Sequence, residues 1–425
     1  MGRHRASWKR WVRDLEKKPK EPGGCCLFQM IFVLALTILA YNLYHWLWPD
    51  LRHHVLDKTD LAFTFYKDVE ERGPIAYGKD EAQKLYIFRS ADVPEDDRQP
   101  VLVFIHGGSW SNGDPSAYGF IGRNFAQNGF VVVDVGYRLL PDGKYPAMLA
   151  DSAAALKWTA RNIGKYGGDP DRIYLMGHSA GAYNVVMLGL DKRWTRRIGL
   201  PDDTIDGVIG LAGPYDFLPL DSDSTKEAFG KVRPLAATQP IRFARKDAPP
   251  MLLMTGDQDE IVEPENSQAL FDALYAKGAT ARHVVFKGMD HSRILMTLTQ
   301  PFGYFDPRTK TQILDFLRER VKDSARERIR AERLAREHGE SGTGGDAARM
   351  GNGHGPPGSA AYENARQIHR RHGHREPAAH RPCGLSAAHR ARLGLSALAA
   401  RPLAGSAGDQ RRAAPRRRHE NGKGR

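Results

Sequence analysis

The segment Gly177-His178-Ser179-Ala180-Gly181 has the residue types of a nucleophile held in a sharp turn. It fits the pattern G-x-S-x-G, with the apolar run Arg172–Met176 before it and the helix-like stretch Ala182–Leu190 after it. A serine at a strand-to-helix turn is strained, and the helix N-terminus directs positive dipole at a developing oxyanion. The pattern predicts Ser179 as the nucleophile of an acyl-transfer reaction.

A serine hydroxyl needs a base to remove its proton, and three histidines compete for that role. His291 lies in a loop after the strand-like run Arg282–Phe286, where it can reach over the sheet edge. His178 is adjacent to the serine, but we expect its side chain to point away into the fold. His283 lies inside a predicted strand. We therefore predict His291 as the general base.

An imidazole base needs a carboxylate that fixes its tautomer and stabilises its cation. The loop after the apolar run Met251–Thr255 supplies three acidic candidates, Asp257, Asp259 and Glu260. Asp259 lies farther into the loop and precedes apolar residues that can pin it, so we predict Asp259. Asp257 is the alternative, although it is better placed to bind amides of the turn, and Asp290 is badly placed to orient the adjacent base. The chain order Ser, Asp, His is the hydrolase order.

The segment His106-Gly107-Gly108-Ser109-Trp110 follows the apolar run Val101–Ile105 and predicts an oxyanion hole. Two glycines let backbone N–H groups approach a substrate with no Cβ atom in the way. We predict the amides of Gly107, Gly108 and Ala180 as donors, and a glycine turn without a catalytic role is the alternative. Trp110 either walls the acyl pocket or packs over the turn. Four aromatic residues could line a pocket: Trp110, Tyr118, Tyr183 and Phe217.

No metal or cofactor is predicted for this chain. It has three cysteines, none in the middle of the chain, and no H-E-x-x-H segment. It also has no phosphate-binding G-x-x-x-x-G-K-[ST] segment and no G-x-G-x-x-G after a strand. The predicted partner is a small-molecule ester substrate.

The elements that must position these residues alternate between strand-like and helix-like runs from about residue 60 to 322. Helix-like stretches include Met148–Tyr166 and Asn266–Lys277. This alternation predicts an α/β fold with a mostly parallel sheet that is covered by helices on both faces. The strand-like runs are Lys84–Arg89, Val101–Ile105, Phe130–Val135, Arg172–Met176, Ile205–Leu211, Met251–Thr255 and Arg282–Phe286.

The 22-residue apolar stretch 27–48 contains no Asp, Glu, Lys or Arg and predicts a transmembrane helix. Residues 1–26 carry an excess of Lys and Arg over Asp and Glu, whereas the chain just after residue 48 has no such positive excess. The positive-inside rule then predicts a cytoplasmic N-terminus, with the hydrolase domain on the periplasmic or extracellular side. A cleaved signal peptide is the alternative, but its apolar core would be about 7–15 residues long.

The chain of 425 residues carries a formal net charge of +13, and this excess lies outside the central domain. Residues 1–24 hold about +5 and residues 340–425 about +10, which leaves the middle near neutral. Nucleic-acid binding by a folded basic face is therefore not expected. Residues 323–338 predict a solvated charged helix, and the basic tail 339–425 is predicted to be disordered. With 41% hydrophobic residues, the chain as a whole is too apolar to be disordered throughout.

Together these motifs resemble the α/β-hydrolase superfamily, in the group of esterases and lipases with an HGG oxyanion motif. They are especially similar to carboxylesterases of the prenylcysteine-methylesterase and formamidase-like kind, over about 260 residues. The matching segments are HGGSW at 106–110, DVGYRL at 134–139, YGGDPDRIYLMGHSAGA at 166–182, GPYD at 213–216, GDQDEIV at 256–262 and the loop with Asp290-His291.

The resemblance implies an eight-stranded, largely parallel sheet and hydrolysis of carboxylic esters through an acyl-enzyme. It implies that Ser179, Asp259 and His291 form the catalytic triad. It also implies that Gly107, Gly108 and Ala180 form the oxyanion hole. The apolar span and the basic tail are not part of that pattern. Ser109 replaces the third glycine of the HGGG form, which leaves the acyl specificity open.

Three other functions remain as alternatives. An amidase or formamidase would use the same triad on a different bond, and a serine peptidase is disfavoured because no propeller-like domain is added. A catalytically inactive hydrolase fold could act as a tethered interaction module. All four catalytic roles are filled in this sequence, and a scaffold has no need of them.

Overall fold

The computed structural model describes residues 34–39, 52–62 and 68–340. An eight-stranded sheet forms the centre of these residues, with the strand order β1-β2-β4-β3-β5-β6-β7-β8. The strands are β1 (Val69–Ala76), β2 (Lys84–Ser90), β3 (Gln99–Ile105), β4 (Val131–Val135), β5 (Gly168–His178), β6 (Ile205–Leu211), β7 (Met251–Gly256) and β8 (Ala281–Phe286).

The sheet is largely parallel, which confirms the predicted fold class. Only the pairs β1–β2 and β2–β4 are antiparallel, and the five remaining pairs are parallel. The seven strand-like runs of the sequence correspond to β2 through β8. The first strand was not among those runs because it carries Glu70, Glu71 and Arg72 and is mostly exposed at the sheet edge.

Helices cover both faces of the sheet. The predicted helix Met148–Tyr166 is α3 followed by a 3₁₀ turn, Ile163–Tyr166, which ends where Gly167 adopts a φ of 77°. The helices are α1 (Arg52–Ala62), α2 (Gly119–Ala126), α3 (Ala147–Asn162), α4 (Ala180–Leu190), α5 (Arg193–Arg197), α6 (Asp223–Phe229), α7 (Glu265–Ala276), α8 (Arg293–Met296), α9 (Gln300–Phe305) and α10 (Arg308–Glu340).

Two buried apolar layers lie on opposite faces of the sheet, and β3 shows why its sequence is apolar throughout. Val101, Val103 and Ile105 belong to one layer. Leu102 and Phe104 alternate with them and belong to the other. A strand buried on both faces has no solvent-facing positions, so it reads as a continuous apolar run and not as an alternating one. The loops at the carboxyl ends of these central strands carry the candidate site.

Helix α1 packs onto the domain through a buried ion-pair cluster. The guanidinium of Arg123 on α2 lies 2.6 Å from a carboxylate oxygen of Asp57 and 3.1 Å from one of Asp60. Asp60 also accepts a hydrogen bond of 2.8 Å from the backbone N–H of Gln300, at the start of α9. The predicted domain start at residue 60 lies inside this helix, two of whose carboxylates are buried.

At the other end, α10 is one continuous helix from Arg308 to Glu340. Its first turns bury Ile313, Phe316, Leu317 and Val321 against the sheet, as expected for the last helix of the domain. The predicted charged helix 323–338 is the continuation of this element.

The described residues contain no helix that is both long and apolar enough to cross a bilayer. The predicted span 27–48 lies outside the described residues except for a short helix at 34–39. The predicted basic segment 1–26 and residues 341–425 of the predicted tail lie wholly outside them.

Candidate active site

Ser179 lies in the turn between β5 and α4, in a backbone conformation that L-residues rarely adopt. Its φ is 53° and its ψ is −122°, and its N–H is held by the carbonyl of Leu211 at 2.8 Å. The flanking glycines allow this turn to pack tightly. A Cβ atom on Gly177 would lie 2.3 Å from the carbonyl oxygen of Gly181, and one on Gly181 would lie 2.0 Å from that of Ile105. The sharp turn expected from the sequence is therefore present.

The side chains of Ser179, His291 and Asp259 form one hydrogen-bonded chain. The Nε2 atom of His291 lies 2.9 Å from the Oγ atom of Ser179. The Nδ1 atom of the same ring lies 2.8 Å from the Oδ2 atom of Asp259. An ionised carboxylate only accepts hydrogen bonds, so Nδ1 carries the proton and Nε2 is free to accept the serine proton. This arrangement fits general-base activation of a serine.

The side chain of Asp259 is fully buried. Its Oδ1 atom accepts hydrogen bonds from the N–H groups of Ile261 at 3.0 Å and Val262 at 2.9 Å. The two backbone amides, and not apolar packing, hold the carboxylate in place, because the Ile261 side chain is 71% exposed. Asp259, the carboxylate predicted from the sequence, is thus the one that contacts His291, although backbone amides and not apolar neighbours hold it.

The other acidic residues near His291 bind backbone and do not reach its ring. Asp257 accepts a hydrogen bond of 2.6 Å from the N–H of Gly288. Asp290 accepts from the N–H groups of Ser292 and Arg293, at 2.9 and 2.8 Å. Glu260 is exposed. Asp257 therefore shapes the loop that carries His291, as the sequence suggested for this alternative.

The glycine segment after β3 lies directly against the nucleophile turn. A Cβ atom on Gly107 would meet the carbonyl oxygen of His178 at 2.8 Å. Gly108 has a φ of +111°, and a Cβ there would lie 2.0 Å from the carbonyl oxygen of Asn112. Ala180 is the first residue of α4, where an N–H has no partner within the helix. The three predicted amide donors thus belong to segments that meet beside Ser179.

His106 orients this glycine segment. Its Nδ1 atom lies 2.8 Å from the carbonyl oxygen of Gly107, so the carbonyl is held on the side of the His106 ring. The C=O and N–H of a trans peptide point in opposite directions, so the N–H of Gly108 faces away from His106. The ring is buried between Tyr137 and Tyr118, with centroid distances of 4.7 and 5.5 Å. Burial lowers the pKa of His106 to about 4, which keeps the imidazole neutral.

Trp110 packs into an aromatic cluster next to this segment. It is 2% exposed, and its ring meets those of Phe229 and Tyr183 edge-on, at 4.9 and 5.4 Å. Phe217 joins the same cluster and is partly exposed. Tyr118 belongs to the apolar layer on the opposite face of the sheet, so it does not join this cluster.

His178 and His283 do not contact Ser179 as bases. His283 bonds the side-chain oxygen of Gln268 at 3.1 Å, away from the nucleophile. His178 is 5% exposed, and its Nε2 atom lies 2.9 Å from the backbone oxygen of His291. This contact is not predicted from the sequence, in which the side chain is expected only to point away into the fold. The signal available was its position next to Ser179.

No group of three or more histidine, cysteine, aspartate and glutamate side chains is placed to hold a metal ion within the residues that the structure describes.

The chain is similar to several known proteins. Residues 90–274 match the protein family BD-FAE. Isoprenylcysteine alpha-carbonyl methylesterase ICME of Arabidopsis thaliana is 27% identical over 258 residues, which cover 56% of this chain and 60% of that protein. Esterase LipC of Mycobacterium tuberculosis is 29% identical over 226 residues, covering 48% of this chain and 55% of that protein. The chain thus spans less than two thirds of the length of both relatives.

Solved structures share the fold. Esterase B of Lactobacillus rhamnosis superposes with a TM-score of 0.55 at 21% identity, covering 70% of this chain and 99% of that one. A truncated carbohydrate esterase from gut microbiota superposes with a TM-score of 0.54 at 21% identity, covering 61% and 99%. At this level of identity the similarity shows a common fold.

Proposed function

We propose that this chain, which belongs to the esterase and lipase group of the α/β-hydrolase superfamily, hydrolyses carboxylic esters through an acyl-enzyme on Ser179. The observation that carries the proposal is the hydrogen-bonded chain from Ser179 through His291 to the buried carboxylate of Asp259. The names of the relatives, a methylesterase and an esterase, favour ester over amide substrates.

The reaction begins when His291 Nε2 takes the proton of the Ser179 hydroxyl, while the serine oxygen forms a bond to the ester carbonyl carbon. The N–H groups of Gly107, Gly108 and Ala180 donate hydrogen bonds to the resulting oxyanion. Asp259 stabilises the imidazolium through the proton on Nδ1. The tetrahedral intermediate then expels the alcohol, which receives the proton from Nε2.

The acyl-enzyme is cleared by water along the same path. His291 removes a proton from the water as its oxygen bonds to the acyl carbon, and a second tetrahedral intermediate forms at the same amides. Its collapse breaks the bond to Ser179, whose oxygen recovers the proton from His291. The products are the carboxylic acid and the free enzyme.

Membrane attachment is part of the proposal and rests on the sequence alone. The apolar stretch 27–48 and the basic residues before it support a single span with a cytoplasmic N-terminus. An epitope tag at each end of the full chain tests this. We expect the protein to stay in the membrane fraction after alkaline washing, and the C-terminal tag to be cut by protease added from the side opposite the cytoplasm. Release by alkali would contradict the anchor.

The activity is tested on the purified full chain with a p-nitrophenyl ester and the matched p-nitroanilide. We expect cleavage of the ester and much slower cleavage of the anilide. Ser179→Ala should lower kcat by about a million-fold and abolish labelling by a fluorophosphonate probe. Ser116→Ala, which changes an exposed serine whose hydroxyl binds the side chain of Asp114, is the matched control. Substantial ester hydrolysis by Ser179→Ala would overturn the assignment.

A further inference from the structure

The backbone carbonyl of His291 is bound by a side chain, whereas its neighbours are bound by backbone. The carbonyl of Asp290 accepts the N–H of Ile294, and that of Ser292 accepts the N–H groups of Leu295 and Met296. Between them, the carbonyl oxygen of His291 forms a hydrogen bond of 2.9 Å with the Nε2 atom of His178. A carbonyl oxygen can only accept, so the proton of the bond belongs to His178.

His178 belongs to the central sheet. It is the last residue of β5, and it pairs with Leu211 of the neighbouring strand β6. Its ring also lies against the oxyanion segment, because a Cβ atom on Gly107 would be 3.1 Å from its Nδ1 atom. The residue therefore contacts the elements that carry the nucleophile, the oxyanion donors and the base.

The backbone of the loop that carries His291, residues 287–292, is also held before this residue. Asp257 holds the N–H of Gly288, and the N–H of Gln258 donates to the carbonyl of Met289 at 3.0 Å. The rings of the two histidines, His178 and His291, lie 4.8 Å apart. The hydrogen bond from His178 restrains the base at its own peptide group. Without His178, the carbonyl of His291 would lose this hydrogen bond, and its peptide group would be held less tightly.

We propose that His178 is a positioning residue that holds the His291 imidazole in line between Ser179 and Asp259 by donating a hydrogen bond to the backbone of His291. The inference rests on the proposed function, because it assigns His178 a role in aligning that catalytic base. His178 does not contact the reacting atoms. A displacement of about 1 Å at a reacting group costs on the order of a hundredfold in rate, and this sets the scale of the expected effect.

The test compares two substitutions at residue 178 in the full chain. His178→Gln keeps an N–H donor near the position of Nε2, whereas His178→Leu removes it. We expect His178→Leu to lower kcat by about tenfold to a hundredfold with little change in KM. His178→Gln should keep most of the wild-type kcat. His283→Leu, which alters a histidine outside the site, is the control and should leave kcat unchanged.

A second pair keeps the test decisive should the Leu variant fail to fold. His178→Asn retains a polar amide but is one carbon too short to reach the His291 carbonyl, so we expect it to lose kcat while Gln retains it. The low-field proton NMR resonance of the His291–Asp259 hydrogen bond should broaden in His178→Asn and persist in His178→Gln.

The outcomes separate the two proposals. Ester hydrolysis that persists in Ser179→Ala, or its absence in the wild-type chain, would overturn the proposed function itself. Loss of activity in Ser179→Ala together with wild-type kcat in both His178→Leu and His178→Asn would overturn the positioning role alone. Equal loss in folded Gln and Asn variants would also overturn it, because the hydrogen bond would then not be the cause.

Discussion

A Cβ atom placed on Gly107 would lie 3.0 Å from the Cβ atom of Ser179. The segment that supplies the proposed oxyanion donors is therefore packed against the nucleophile turn, with no room for a side chain between them. Contacts of this length are tighter than almost all real Cβ contacts, so any larger residue must displace one of the two segments.

Gly107→Ala should therefore lower kcat by about a hundredfold to a thousandfold, the range observed when an oxyanion donor is lost. The added methyl would also be 2.8 Å from the carbonyl oxygen of His178, so it must push the amides away from the oxyanion position. Steady-state kinetics on a p-nitrophenyl ester measures the effect.

Gly164→Ala is the matched control for this substitution. Its nearest neighbour would be the Arg98 guanidinium at 3.5 Å, an ordinary contact. Activity of Gly107→Ala equal to that of Gly164→Ala would show that the glycine is not required beside the nucleophile.

Substituting the two aspartates of the loop after β7 should affect kcat very differently. Asp259→Asn should lower kcat by about ten-thousandfold, because an amide no longer fixes the Nδ1–H tautomer of His291. Asp257→Asn should remain within a few-fold of wild type, because an amide oxygen can still accept the hydrogen bond from Gly288. Kinetics of the two purified variants, with circular dichroism as the check on folding, decides between them. The reverse order of activities would mean that Asp257 is the functional carboxylate.

The ion-pair cluster at α1 predicts a pH-dependent stability. Burial raises the pKa of Asp60 to about 6, and the hydrogen bond from Gln300 and the charge of Arg123 offset this only in part. Between the ordinary pKa of 3.8 and about 6, the folded chain holds a proton that the unfolded chain has lost. The resulting stabilisation is complete below the lower value and is lost as the pH rises through the upper one.

Asp60→Asn cannot ionise and should not show this loss. We expect the free energy of unfolding of the wild type, relative to that of the variant, to fall by about 2 kcal/mol between pH 4 and pH 7. Urea denaturation at a series of pH values measures the difference, and the exposed Asp221→Asn serves as the control. Parallel pH profiles for wild type and Asp60→Asn would contradict the prediction.

The residues of the candidate site were accessible from sequence because each belongs to a short local pattern after a strand. Parallel strands bring such loops to one edge of the sheet, so Ser179, Asp259 and His291 could be assigned without knowing their distances. The Asp259 contacts with two amides could not be read in this way, because they depend on the path of the loop. The same holds for His178, whose partner lies 113 residues away in the chain.

The elements missed at the start of the domain lack an apolar signal of their own. Strand β1 reads VEERGPIA and is largely exposed, so no buried alternation marks it. Helix α1 has weak amphipathicity, and the partners of Asp57 and Asp60 are Arg123 and Gln300, far along the chain. Ion pairs of this range leave no periodic trace in a sequence, whereas the buried strands leave a continuous apolar one.

Strand β1 also determines how the sheet ends. It lies at the outer position of the strand order and pairs along one side with β2. It carries three charged residues, Glu70, Glu71 and Arg72, just before a register irregularity at Gly73-Pro74, and proline has no N–H to offer a further strand. This edge is a poor template for edge-to-edge aggregation, so β1 can stay exposed to solvent without pairing with a strand of another polypeptide.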